Sequence, residues 1–351
     1  MNNNQLRLEQ FDTVLYNANL NPMGAPDSAI KAMQNELSSI VRYPNDYYDG
    51  LKDAISQYAK CNKEHILLGN SSSDLLHRFV SQLKPEKTML LSPCYSEYEN
   101  VLKAHGCEVD FFDLKEEEDF EFNIAEFVGM LNSSYDMIII GNPNNPTSKL
   151  ISKDDLETLA AVCEELDTFL LIDEMYIEFV NQASGNTCLP LVEDYKNIAI
   201  LRSVSKFFAV PGIRLAYAVM NNTAKKSIIN AGFASNNIST LSAVACIAML
   251  RDTEYILESN SQIYTERNLI YSAMSPNKNI KLYKPAANFM LAKILKPDVN
   301  ASVISEHCKL KGIIIRNCDT FRGLDDSYIR FCFMKPSQND TLVNSILELL
   351  N

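Results

Sequence analysis

The sequence predicts an α/β fold: a large domain built on a mostly parallel sheet, joined to a smaller α+β domain. Three observations carry this. Short, wholly apolar runs alternate with amphipathic helical stretches through the first two thirds of the chain, as in a parallel sheet covered on both faces. Beyond Arg214 helical stretches dominate, and strand material returns only near the C-terminus. The 351 residues, 46% hydrophobic, hold enough apolar material for one large core and one smaller one. The expected division is an arm over 1–16, a large domain over 45–249, and a small domain from 17–44 with 250–351.

Taken in order, the polar start gives way to a loop dense in Asn, Pro and Gly, from Asn17 to Pro26, and then to a helix over 28–37. A second loop, Arg42-Tyr43-Pro44-Asn45-Asp46-Tyr47-Tyr48, is rich in aromatics. Leu51, Ala54, Ile55 and Tyr58 then recur at helical spacing. From Ile66 a unit repeats: an apolar run, a polar turn, a helix. Ile66–Leu68 leads into Gly69-Asn70-Ser71-Ser72-Ser73, and Thr88–Leu91 into Ser92-Pro93-Cys94-Tyr95. Val109–Phe112 is a further strand. Met137–Ile140 leads into Gly141-Asn142-Pro143-Asn144-Asn145-Pro146, and Ser152 to Asp155 reads as a capping box opening the next helix. Phe169–Ile172 ends in Asp173-Glu174-Met175-Tyr176, and Ile198–Leu201 in Ser203-Val204-Ser205-Lys206. Helices are expected over 238–249, 254–274 and 338–350, with strands over 289–294, 312–316 and 328–334. In doubly wound sheets ligands bind beyond the carboxyl ends of the strands. Every unusual polar cluster falls there, so this rim is the expected active site.

Bulk composition excludes several functions. A net charge of −12 disfavours nucleic acid, whose phosphates demand a basic face. The run Lys115-Glu116-Glu117-Glu118-Asp119 reads as a solvated loop. Nine cysteines without a Cys-x-x-Cys pair read as a reduced, cytoplasmic pattern, and four histidines without zinc-type spacing give no metal site. No apolar leader and no run of about 18 apolar residues is present, so no membrane role is expected.

Lys206 lies between serines and a pair of phenylalanines. An amine among apolar side chains loses part of its preference for charge and becomes a usable nucleophile. Ser203, Ser205 and Arg214 offer donors suited to a phosphate, so the stretch suggests a cofactor bearing both an aldehyde and a phosphate. Asp173, at the end of an apolar run, is costly unless paired with a cation; a pyridinium nitrogen would serve, and a helix cap or an arginine partner is the alternative. Asn145 and Tyr176 could bond a ring oxygen, although a residue before proline is also an ordinary turn former. Ser71, Ser72 and Ser73 open a helix whose free N–H groups favour an anion, or simply cap it. Tyr95 could stack on a planar ring or be a core tyrosine. Arg316 and Arg330, in small-domain strands, suit capture of a carboxylate or phosphate, unless they merely face solvent.

As a set, Asn142-Pro143-Asn144-Asn145-Pro146-Thr147, Asp173-Glu174-x-Tyr176 and Ser203-x-Ser205-Lys206 with Arg214 resemble the pyridoxal-phosphate enzymes of the aspartate aminotransferase fold. This is the class I/II aminotransferase family, fold type I, and the match runs in order from about Asn17 to the C-terminus. The resemblance implies that Lys206 is the Schiff-base lysine and general base, that Asp173 pairs the pyridine nitrogen, and that Asn145 and Tyr176 hold the ring oxygen. Tyr95 would stack on the ring. Ser71–Ser73, Ser203, Ser205 and Arg214 would bind the cofactor phosphate, and Tyr43 that of the neighbouring subunit in a homodimer. Arg330 would take the substrate carboxylate, with Arg316 and Asn21 also in the substrate site.

Within that fold the chain is similar to the branch of histidinol-phosphate aminotransferase and threonine-phosphate decarboxylase. Asn21-Pro22-Met23-Gly24, the segment from Lys206 to Gly212, and Gly323-Leu324-Asp325 with Tyr328-x-Arg330 look closer to the decarboxylase. The chain departs from the branch in lacking an early His-Gly-Gly, in Ser71, Ser148 and Ala216 at usual glycine positions, and in Met23 where the aminotransferase has tyrosine. The implied functions are decarboxylation of a phosphorylated threonine or serine, transamination of a substrate like histidinol phosphate, or a non-catalytic regulatory domain. The substrate is expected to be a small, phosphorylated amino compound. The fork between the two reactions rests on how Arg316, Arg322 and Arg330 orient it.

Overall fold

The structure is a computed structural model and describes residues 13–44, 48–232 and 236–351. Residues 1–12 of the expected arm, and 45–47 of the aromatic loop, lie outside the described residues. The described end of the arm is a short strand, β1 (Val14–Leu15), paired in parallel with β11 (Ile313–Ile314).

A seven-stranded sheet forms the centre, in the order β2 (Ile66–Gly69), β8 (Ala216–Val219), β7 (Ile198–Ser203), β6 (Phe169–Asp173), β5 (Met137–Gly141), β3 (Lys87–Ser92), β4 (Glu108–Asp113). All run parallel except β8, which is antiparallel to both neighbours. Strands β5, β6 and β7 are buried at every residue, which is why they read as unbroken apolar runs. Helices fill the crossovers. Ser152 caps Lys153–Glu165 by accepting from the Asp155 N–H at 3.1 Å, as its capping pattern predicts. The helix expected over 28–37 is Asp27–Asn35, followed by a 3₁₀ turn, and it lies against Thr240–Leu250.

A four-stranded antiparallel sheet follows, in the order β12 (Arg316–Asn317), β13 (Tyr328–Cys332), β10 (Phe289–Ile294), β9 (Ile280–Leu282). The strand expected over 312–316 is two pieces, β11 and β12, in different sheets. Strand β8 was not legible: Ala216–Val219 is only four residues long, with two alanines that carry little strand signal. The acidic run at 115–119 is not simply a solvated loop. Glu116 accepts from the Tyr283 hydroxyl at 2.9 Å and from Lys293 at 2.7 Å, Asp119 pairs with Lys281 at 2.8 Å, and Phe120 packs beside Tyr283. This stretch pins the β3–β4 side of the large sheet to the small sheet. Its partners lie more than 160 residues away in sequence, so local charge pattern could not reveal them.

Candidate active site

One cavity of about 360 Å³ lies at the carboxyl ends of the parallel strands. Turns after β2, β3, β5, β6 and β7 bring Ser71, Ser72, Ser73, Tyr95, Asn145, Asp173, Tyr176, Ser203, Ser205, Lys206 and Arg214 to its wall. Arg316 and Arg330 close it from the small sheet. Two expected residues are elsewhere. Asn21 is 3% exposed and not in the wall; its amide donates to the Phe207 carbonyl at 2.7 Å and to Ser259 Oγ at 2.8 Å. It therefore braces the lysine turn instead of meeting a ligand, which corrects its expected place in the substrate site. Tyr43 is 90% exposed and away from this chain's cavity.

Lys206 Nζ donates to the Ala18 carbonyl at 2.8 Å. Burial, and then the charge of Arg330, lower its pKa to about 8, so a sizeable neutral fraction exists near neutrality. Asp173 accepts from the Tyr98 hydroxyl at 2.9 Å and from the Met175 N–H at 3.0 Å. Burial pushes its carboxyl up to about 6 against those bonds, since no cationic side chain pairs with it among the described residues. Tyr176, its pKa raised by burial to about 12, accepts from the Asn19 amide at 3.3 Å and packs edge-on against Phe289. Ser71 caps the helix Ser72–Leu83 through the Asp74 N–H at 3.0 Å, and Ser72 and Ser73, in the first turn, line the cavity. The capping reading thus holds for Ser71, and it leaves the anion-binding reading open to Ser72 and Ser73. Ser148 is at φ +59, a conformation glycine would take freely; its hydroxyl accepts from the Ala287 N–H at 3.0 Å.

Arg316 and Arg330 stand directly opposite each other across the β12–β13 pair. Like charges in that register repel, so the arrangement calls for an anion between them. Arg330 is 6% exposed; it donates to the Asn145 side chain and, at 2.9 Å, to the Asn17 carbonyl. Neither bond neutralises its charge.

Sequence reasoning missed Tyr98, Asn19 and Phe321. Tyr98 lies one helical turn beyond Tyr95, a spacing that could have flagged it. It also missed a buried ion cluster behind the wall. Arg202 donates at 2.8 Å to Glu174, Glu178 and Thr187, tying the Asp173–Tyr176 segment to β7 just before Lys206. Arg202→Ala would leave two buried carboxylates uncompensated and is expected to cost about 3–5 kcal/mol. Urea unfolding checks this, and a loss below about 1 kcal/mol would show that the cluster is not a brace.

The site fits pyridoxal phosphate on the chemistry of its donors. A ring N–H⁺ would give Asp173 the cation it lacks, and the Ser72–Ser73 helix start with Ser203, Ser205 and Arg214 suits the phosphate. Lys206 supplies an amine already lowered toward neutrality.

Comparison with known proteins agrees with this. The sequence profile described as "Aminotransferase class I and II" matches residues 12–346. The chain is 28% identical to threonine-phosphate decarboxylase of Salmonella typhimurium, over 95% of this chain and 90% of that one. It is also 28% identical to histidinol-phosphate aminotransferase of Methanosphaera stadtmanae, over 95% and 89%. The crystal structure of histidinol-phosphate aminotransferase from Clostridium acetobutylicum superposes with a TM-score of 0.90 at 31% identity, covering 96% of this chain and 99% of that one.

Proposed function

This chain belongs to the aminotransferase class I and II family, and from that premise we propose that it works at Cα of a small phosphorylated amino acid, as a decarboxylase of O-phospho-L-threonine or O-phospho-L-serine. It is a pyridoxal-phosphate-dependent enzyme. The observation that carries the substrate reading is the opposed Arg316 and Arg330 in the same wall as Lys206. An amino acid that presents its amine to Lys206 meets two guanidinium groups whose repulsion its carboxylate relieves.

Bound there, the cofactor supplies an electron sink for the charge left at Cα. Asp173 would keep the ring nitrogen protonated, and Tyr176 and Asn145 would hold the ring oxygen. Lys206 would move a proton at Cα through its Nζ. Arg330 fixes the carboxylate, and its position decides which bond at Cα breaks. Transamination of a substrate like histidinol phosphate is the second reading, favoured by the likeness to the Clostridium enzyme.

We extend the proposal to assembly and location. Leu37, Ile40, Val41 and Tyr43 are 55%, 66%, 83% and 90% exposed, an apolar patch that supports a homodimer with Tyr43 reaching the partner's cofactor phosphate. All nine cysteines are free, which supports a cytoplasmic location. Among the described residues no helix is long and apolar enough to cross a membrane. The division into a large domain over 45–249 and a small one from 17–44 and 250–351 remains the proposed reading, the Glu116 contacts being part of their junction.

The test is to supply the loaded enzyme with O-phospho-L-threonine, O-phospho-L-serine or L-histidinol phosphate, trapping carbon dioxide and following the cofactor spectrum. Gas release with the aldehyde form of the cofactor retained supports decarboxylation. Conversion to the amine form without gas replaces it with transamination. Neither change with any of the three would overturn the substrate class.

A further inference from the structure

Tyr98 is buried in the first turn of the helix Ser96–Ala104, and its hydroxyl donates to Asp173 Oδ2 at 2.9 Å. Asp173 Oδ1 accepts from the Met175 N–H at 3.0 Å. One donor on each oxygen fixes the plane of the carboxylate, and each oxygen keeps a lone pair for a further donor. Among the described residues Asp173 is the only acceptor of the Tyr98 hydroxyl. Burial, and then the charge of Asp173, push that phenol well above its ordinary pKa, so it stays a donor across the physiological range.

The sequence makes room for this contact. Gly141 ends β5 directly opposite Asp173 in the β5–β6 register. It is not in the left-handed region, so its backbone does not call for glycine. A Cβ there would lie 3.2 Å from the Tyr98 hydroxyl, a crowded distance. The missing side chain is the space through which the phenol reaches Asp173. The ring of Tyr98 also stands edge-on to that of Tyr95, with centroids 5.6 Å apart and planes at 89°. Tyr98 therefore contacts both the carboxylate expected at the ring nitrogen and the tyrosine expected on the ring face.

The other titratable groups around Asp173 do not bond to it. Glu174 is bound by Arg202, the Tyr95 and Tyr176 phenols are raised by burial, and Lys206 donates to the Ala18 carbonyl.

We propose that Tyr98 is a positioning residue for the cofactor: its hydroxyl, admitted by Gly141, holds the Asp173 carboxylate ionised and aimed at the ring nitrogen, while its ring edge sets Tyr95. This rests on the pyridoxal-phosphate site described above. Tyr98 acts through Asp173 and Tyr95 and does no chemistry itself.

Tyr98→Phe removes the hydroxyl and keeps the ring. The first readout is the melting temperature of the apoenzyme between pH 5 and pH 8. The Asp173 carboxyl is held at about 6 against an ordinary 3.8, so its contribution to stability is full below about 4 and lost as pH rises through 6. Without the Tyr98 donor the folded-state pKa rises further. The loss should then continue to higher pH, and the drop in melting temperature from pH 5 to pH 8 should exceed that of the wild type. Added to Asp173→Asn, the same substitution should leave the pH dependence unchanged, because no carboxyl remains to titrate. A merely structural tyrosine would lower both backgrounds alike at every pH, and that result overturns the proposal. The second readout is the dissociation constant for pyridoxal phosphate by equilibrium dialysis, expected to be about 10-fold weaker in Tyr98→Phe, as loss of one hydrogen bond to a charged group implies. If either the pH profile or the dissociation constant of Tyr98→Phe matches the wild type, the assignment is wrong and the cofactor site stands. If the wild-type apoenzyme binds no pyridoxal phosphate, the cofactor site fails, and the role of Tyr98 with it.

Discussion

Lys206→Ala is expected to abolish turnover, by at least about 10⁴-fold, and to remove the absorbance band near roughly 410–430 nm that marks covalently held cofactor. The size follows from two losses at one atom. On the proposed reading Nζ would be both the nucleophile that captures the aldehyde and the base that moves a proton at Cα. Burial and Arg330 set its pKa near 8, which gives the prediction a pH signature. Only the neutral amine attacks, so cofactor uptake by the apoenzyme should speed up as pH rises through about 8 and level off above it. Lys206→Arg, whose guanidinium stays protonated at every accessible pH, should show no such rise. Stopped-flow absorbance after mixing with pyridoxal phosphate checks both. A variant that retains the band would move the amine role to another residue.

Asp173→Asn is expected to lower kcat by roughly 10²–10³, the usual cost of removing one fixed electrostatic partner from a reacting centre. The amide keeps the shape but no longer holds a proton on the ring nitrogen, which weakens the electron sink. The same variant should behave oppositely in stability. In the apoenzyme the Asp173 carboxyl is held at about 6, above its ordinary 3.8. A carboxyl whose folded pKa is raised binds its proton more tightly in the folded state. Stability from this group is therefore fullest below about 4 and declines as pH rises to about 6, reaching a penalty of about 3 kcal/mol at neutral pH. The neutral amide escapes that penalty, so apo Asp173→Asn should melt higher than wild type at pH 7 while turning over far more slowly. Differential scanning calorimetry with steady-state rates separates the two. A variant that is both inactive and less stable would mean that Asp173 is a structural brace.

The rim of the site was legible because its carriers are local. A four-residue apolar run followed by a polar turn, repeated from Ile66 to Lys206, marks a buried parallel strand and its functional end without any long-range information. Asn21 misled for the same reason: it sits in a loop of the right composition, and only the tertiary fold commits its amide to Phe207 and Ser259. The opposition of Arg316 and Arg330 depends on a strand register, which their separation in sequence does not give. Glu116 was unreadable because its partners lie more than 160 residues away, and Arg202 because its partners come from the segment after the neighbouring strand β6 and not from its own turn. Strand β8 escaped because it runs antiparallel as a short insertion between β2 and β7, outside the repeating unit.

The central claim is that Lys206 holds the cofactor within the strand-end cavity. Borohydride reduction of the wild-type enzyme loaded with pyridoxal phosphate, followed by proteolysis and peptide mass spectrometry, tests it directly. A single stable phosphopyridoxyl adduct is expected on the peptide containing Lys206, with the visible band lost on reduction. An adduct on a different lysine, or a cofactor that washes out unattached after reduction, would contradict it.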